Sequence, residues 1–217
     1  MSNHHINRED FANTWRSNAE SSPFMGITAA TRRQVLVAGA LTAALSIPAC
    51  QSVSAMTFDP IPPLPQTPTP GRPGDFAFLT GEWRIHNRSL VEGAWLEYPG
   101  EATVHEILRG VGSVEELRIP ARDFSGMGLR LLDVGQARWS DFWVNAKSGA
   151  LTTPGQSGSF EGGVGLFWSN YEVDGVPARS IGVWDQITPT SCRWRQASST
   201  DGGATWAQNW IMHWTRV

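Results

Sequence analysis

From residue 81 to its end the chain is cut every few residues by turn formers, and no stretch repeats apolar residues at helical spacing over a helical length. Between the cuts lie short mixed apolar and polar segments that read as strands: 83–90, 101–108, 114–119, 128–133, 139–145, 158–161, 164–171, 179–187, 192–198 and 206–215. Tyr98-Pro99-Gly100, Glu161-Gly162-Gly163, Asp174-Gly175 and Asp201-Gly202-Gly203 read as turns. The expectation is an all-β domain of about ten antiparallel strands. Closing such a sheet on itself removes unpaired edges, which favours a single up-and-down barrel. A barrel of more than eight strands has more interior than side chains readily fill, so a ligand cavity is expected at one mouth.

The upstream chain has a different character. Thr31-Arg32-Arg33-Gln34-Val35-Leu36 leads into a weakly apolar stretch ending at Ser46. That stretch is too short to cross a bilayer core needing roughly 20 apolar residues, so it reads as a twin-arginine export signal. Arg32 and Arg33 would engage the export machinery. Cleavage after Val53-Ser54-Ala55 gives a soluble periplasmic or secreted protein. Ile47-Pro48-Ala49-Cys50 offers the alternative of a lipoprotein acylated at Cys50, the one route to a membrane. Met25 is an alternative start that leaves a signal of ordinary length. The organisation expected is an export region over 1–55, a proline-rich spacer over 56–73, and one domain over 74–217. Without residues 1–55 the chain carries 17 acidic and 13 basic residues and no basic block, which argues against nucleic acid as a partner. It also keeps a single cysteine, Cys192, in an alternating run beside Trp194, so no internal disulfide forms and a buried thiol is expected.

Residues Asp75 to Trp83 contain Gly81-x-Trp83, and the chain ends Trp214-Thr215-Arg216-Val217. This resembles calycin (lipocalin-type) barrels, in which a Gly-x-Trp plugs the closed end and an arginine of the last strand stacks over the indole. Gly128 to Asp133, Arg138 to Trp143, Ser198 to Trp206 and Asn209 to Met212 together resemble a bacterial calycin-like family of unknown function. The resemblance implies the barrel over 75–217 and carries no established reaction. His213 departs from the acidic residue that the resemblance leads one to expect.

Candidate site residues follow from alternation. Trp139, Asp141, Trp143 and Asn145 share one strand face, a mixture of indoles, a carboxylate and an amide typical of small-molecule pockets. Trp168, Trp194, Gln196 and Trp210 are further wall candidates, and Arg195 joins them as a ligand-binding candidate. Structural packing of the tryptophans explains the same pattern equally well. Arg84, His86 and Arg88, with Arg193 and Arg195, form basic rows that either hold a carboxylate or phosphate or face solvent, the ordinary state of charged strand residues. The ligand expected is therefore small, largely apolar, and able to carry an acidic group.

Two other readings stand beside a binding protein. A cofactor-free lyase or isomerase would use Asp141 with His86 or His213 as acid and base. A haem carrier, as in nitrobindin-like barrels, would use one axial histidine among His86, His105 and His213. No cofactor is otherwise implied, and no histidine spacing marks a metal site. There is no serine elbow, phosphate loop or dinucleotide fingerprint.

Overall fold

The structure, a computed structural model, describes residues 58–217. The export signal, both cleavage alternatives, Met25 and Cys50 lie outside the described residues. Ten strands follow in chain order: β1 Gly81–Val91, β2 Ala94–Ile107, β3 Gly112–Ile119, β4 Phe124–Asp133, β5 Arg138–Asn145, β6 Gln156–Glu161, β7 Val164–Val173, β8 Val176–Asp185, β9 Ser191–Ser199 and β10 Ala207–Arg216. Each pairs antiparallel with its sequence neighbours, and β1 pairs with β10 to close the ring. This is the expected all-β up-and-down barrel.

Two hairpin turns show the local chemistry. Asp174-Gly175 and Glu92-Gly93 both hold positive φ at both central residues, the backbone that matches strand twist and that glycine adopts freely. The second replaces the turn expected at Tyr98-Pro99-Gly100, which instead lies inside the fourteen-residue β2. Strand β2 meets β3 only from Glu101 onward, so Pro99 sits where that ladder is missing and its absent N–H costs nothing there.

One end of the barrel is sealed. Phe76, Phe78 and Leu79, in and beside the 3-10 turn Ala77–Leu79, plug the space below Trp83, Trp184 and Trp214. The Trp83 indole donates to the Leu79 carbonyl at 2.7 Å, and the three indoles meet edge to face through Trp214. Arg216 lies over Trp83 at 4.3 Å from the ring centre and donates to the carbonyls of Phe78, Thr80 and Pro189. The lid read from the two ends of the chain is present. Cys192 is buried in this core, and burial pushes its thiol up to about 12.

The proline-rich segment is not a free spacer. Residues 58–73 form a strap across the outer wall, where Ile61 and Leu64 cover Ile181, Val183 and Ala197. Asp59 accepts from Arg193 at 2.7 Å, and its carbonyl accepts from Arg195 at 2.7 Å and from Gln208 at 2.8 Å. Gly71 bonds Ala137, and any Cβ there would strike the Trp139 ring. Proline forbids regular pairing, yet extended chain still packs well on a pleated surface that presents apolar side chains.

Candidate functional site

The open half of the barrel is where chemistry can occur. Inward-facing side chains here include Phe124, Trp143, Trp194 and Trp210, with Trp143 stacked on Phe124 and Trp210 edge-on to both Phe124 and Trp194. Polar groups alternate with them: Gln156 donates to Ser180 at 2.9 Å, Gln196 donates to Asn209 at 3.0 Å, and Trp210 donates to Asn87 at 3.1 Å. Trp143, Gln156, Ser180, Trp194, Gln196 and Asn209 point inward yet stay partly accessible, so solvent enters from this end.

At mid-height three charged side chains face inward from adjacent strands. Arg130 of β4 is 5% exposed, Glu115 of β3 is 3% exposed, and Asp141 of β5 is 17% exposed. Arg130 donates through Nη2 to Glu115, while its Nε lies 3.6 Å from Asp141 Oδ2. The guanidinium also stacks on Phe76 and Trp184, at 5.2 and 5.3 Å from the ring centres. Its Nη1 finds no hydrogen-bond acceptor. The two carboxylates hold the Arg130 guanidinium above its usual range despite burial. Asp141 goes the other way: burial raises its carboxyl to about 6, Arg130 opposes this, and Glu115 adds to it. One cation and two carboxylates leave this interior cluster with one negative charge when all are ionised.

The structure divides the sequence candidates. Trp139, Asp141, Trp143 and Asn145 do share the inner face, with Gln196 and Trp210 beside the open half. Trp139 belongs to the sealed end, fully buried, its indole donating to Asp75 at 3.0 Å. Asn145 accepts from the Lys147 backbone and caps a turn. Trp168 and Arg195 are corrected: both face outward. Trp168 packs with Ile61 and Leu64 under the strap. Arg195, 2% exposed, is held by Asp185 at 2.7 Å and by the Asp59 and Pro60 carbonyls. An outer face covered by the strap carries apolar and paired residues like an inner one, so alternation alone misassigns it.

The histidines are also outside. His86 and His213 stand opposite each other in register on the outer surface of β1 and β10, and His86 lies 3.3 Å from Glu97. Desolvation first, then the charges of Arg193, His86 and Arg88, lowers the His213 pKa. His105 also faces outward, from β2. Neither an Asp141–histidine pair nor an axial histidine for haem is assembled inside the barrel, so the residues present do not fit either arrangement. Among the described residues, no group of three or more histidine, cysteine or acidic side chains is placed to hold a metal. The basic row of Arg84, His86, Arg88 and Arg193 is outward too, which removes the residues expected to hold an acidic ligand group.

Sequence reasoning missed Glu115 and Arg130. Each is a lone charge on its face of the strand, beside Leu117 and Ile119 or Gly128 and Leu132, and the apolar Met127, Leu129 and Leu131 on the opposite face of β4 leave nothing in the sequence to mark Arg130 as inward. A separate shallow groove of about 390 Å³ runs along the outer face of β2 to β5, lined by Thr103, His105, Val114, Met127 and Val144 among others.

No family model matches the chain, and no curated protein matches it. Among solved structures it is similar to a protein of unknown function from the DUF3598 family of Nostoc punctiforme, at 14% identity, covering 71% of this chain and 53% of that one, with a TM-score of 0.37. It is also similar to an S-type phycobiliprotein lyase from Guillardia theta, at 11% identity, covering 65% of this chain and 90% of that one, with a TM-score of 0.39. The chain thus spans about half the length of the first. The calycin-like barrel itself rests on the closed ring of ten strands and the Trp83–Arg216 lid.

Proposed function

We propose that the protein is an exported binding protein that holds a small, largely apolar molecule in the open half of the barrel. The observation that carries this reading is the aromatic and amide cluster at the end of the barrel away from the seal. Phe124, Trp143, Trp194 and Trp210 pack against one another there, and Trp143, Trp194 and the amides of Gln156, Gln196 and Asn209 stay partly exposed. Apolar walls with a few fixed polar groups are the usual composition of small-molecule sites. Export rests on the Arg32-Arg33 signal, and membrane attachment would come only through Cys50.

The test is a titration with N-phenyl-1-naphthylamine, a neutral dye that brightens in apolar surroundings. Saturable binding is expected, with quenching of the tryptophans. A Gly182→Leu variant places side-chain volume against Gln156 and Trp194, each 3.2 Å from the position of a Cβ, and should abolish it. Val144→Asp, in the outer groove, should leave it intact. Binding that survives Gly182→Leu and is lost in Val144→Asp would move the site outside the barrel and refute the proposal.

A further inference from the structure

We infer that the ligand of this site brings a hydrogen-bond donor, such as a ring N–H, to the Asp141 carboxylate, and that a ligand carboxylate is excluded. The inference rests on the binding function proposed above and narrows it to a class of ligand.

The charge arrangement carries it. Of the inward charged groups on the barrel wall, Arg130 gives Nη2 to Glu115 and stacks on Phe76 and Trp184, and its remaining donors are buried away from solvent. Both Arg130 and Glu115 lie almost wholly out of solvent. Asp141 is the most exposed member, and its contact with Arg130, at 3.6 Å, is too long for a strong hydrogen bond. Its free acceptor capacity is therefore what an entering molecule meets at the floor of the open half. A buried carboxylate gains most from a donor that restores its lost hydration, since an ionised acceptor makes stronger bonds than a neutral one. A second anion would face the excess negative charge of Glu115 and Asp141, while the one cation of the cluster, Arg130, is 5% exposed. The charged groups facing Asp141 are Glu115 from β3 and Arg130 from β4. From β6 the neutral Gln156 stands opposite it in register. The neighbouring Trp143, on the same face of β5, supplies a flat apolar wall beside this acceptor.

The group that confers this preference also makes it depend on pH. Burial holds the Asp141 carboxyl at about 6, so it accepts as a carboxylate above that value and becomes a neutral acid below it.

The experiment compares carbazole with dibenzofuran and fluorene-9-carboxylate, planar tricycles of nearly equal size, by quenching of tryptophan fluorescence at pH 7.5 and pH 5.0. Carbazole carries the N–H, dibenzofuran replaces it with oxygen, and the third carries an anion. Carbazole should bind at least about tenfold more tightly than dibenzofuran at pH 7.5, the worth of one hydrogen bond to a charged acceptor. The advantage should shrink several-fold at pH 5.0, and the anion should bind weakest at pH 7.5. In Asp141→Asn the pH dependence of the advantage should disappear. Equal binding of carbazole and dibenzofuran in the wild-type protein would overturn the donor inference while leaving the binding function in place. Failure of all three, together with N-phenyl-1-naphthylamine, would overturn the binding function and this inference with it. The wild-type comparison needs no variant to fold.

Discussion

The Asp141→Asn substitution tests the interior electrostatics without any ligand. In the folded protein, burial raises the Asp141 carboxyl from the ordinary value of 3.8 to about 6. The folded state therefore binds this proton more tightly than the unfolded chain does. The penalty for burying the carboxylate is absent below about pH 4, grows as pH rises, and is complete above about pH 6. At about 1.36 kcal/mol for each tenfold difference in proton affinity, its full size is about 3 kcal/mol. Asparagine keeps the shape and loses the charge. The stability of the variant relative to wild type should therefore move by about 2 kcal/mol in favour of the variant between pH 4 and pH 7, because at pH 4 the unfolded carboxyl is already more than half ionised. Loss of the 3.6 Å contact with Arg130 is already contained in that figure, because Arg130 opposes the upward push of burial. Urea unfolding followed by tryptophan fluorescence at pH 4, 5, 6 and 7 supplies the stabilities, provided the slope against urea stays the same for both proteins. A difference that stays flat across this range would show that Asp141 is not held out of water. A difference that moves toward the wild type would show that Arg130 dominates and the carboxyl is depressed instead.

Other substitutions probe the remaining supports. Glu115→Gln removes the direct partner of a buried guanidinium, and should cost about 3 to 5 kcal/mol in urea unfolding, whereas a Glu115→Leu/Arg130→Met pair should cost far less because no charge is stranded. Arg216→Ala takes away the cover of Trp83 and three bonds to carbonyls at the sealed end. It should lower stability by about 2 kcal/mol or more, with Arg216→Lys recovering only part of it by thermal unfolding. Removing residues 56–66 uncovers Ile181, Val183 and Ala197 by stripping Ile61 and Leu64, and should cost about 3 kcal/mol and expose a dye-binding outer face. Cys192, buried with its thiol pushed up to about 12, should react with a thiol reagent only at the rate of unfolding.

How much of the site could be read in advance differs residue by residue. On β5, Trp139, Asp141, Trp143 and Asn145 fall on one face at a period of two, and the structure puts that whole face inside. On β7 and β9 the same reasoning sends Trp168 and Arg195 the wrong way. Their outer positions are buried under the strap, and a strand covered on both faces has no polar side to mark its orientation. Arg130 and Glu115 escaped notice because each is an unremarkable charge within its own strand. Only the β3–β4 register, which sets Glu115 opposite Gly128 and leaves room beside it for Arg130, turns them into a buried pair.

Local chemistry by itself determined the ten strands, most of their turns, and the absence of a long helix from residue 81 onward, while the Gly81-x-Trp83 and Arg216 pieces of the sealed end were legible through the resemblance to calycin barrels. The strands and turns depend on alternation and on glycine at positive φ. Tertiary structure alone decided which face became the interior, that the proline-rich segment is part of the wall, and that the histidines stand outside, away from Asp141. Those outcomes depend on what covers each face and on which charges share low-dielectric space, and neither quantity is a property of a single strand.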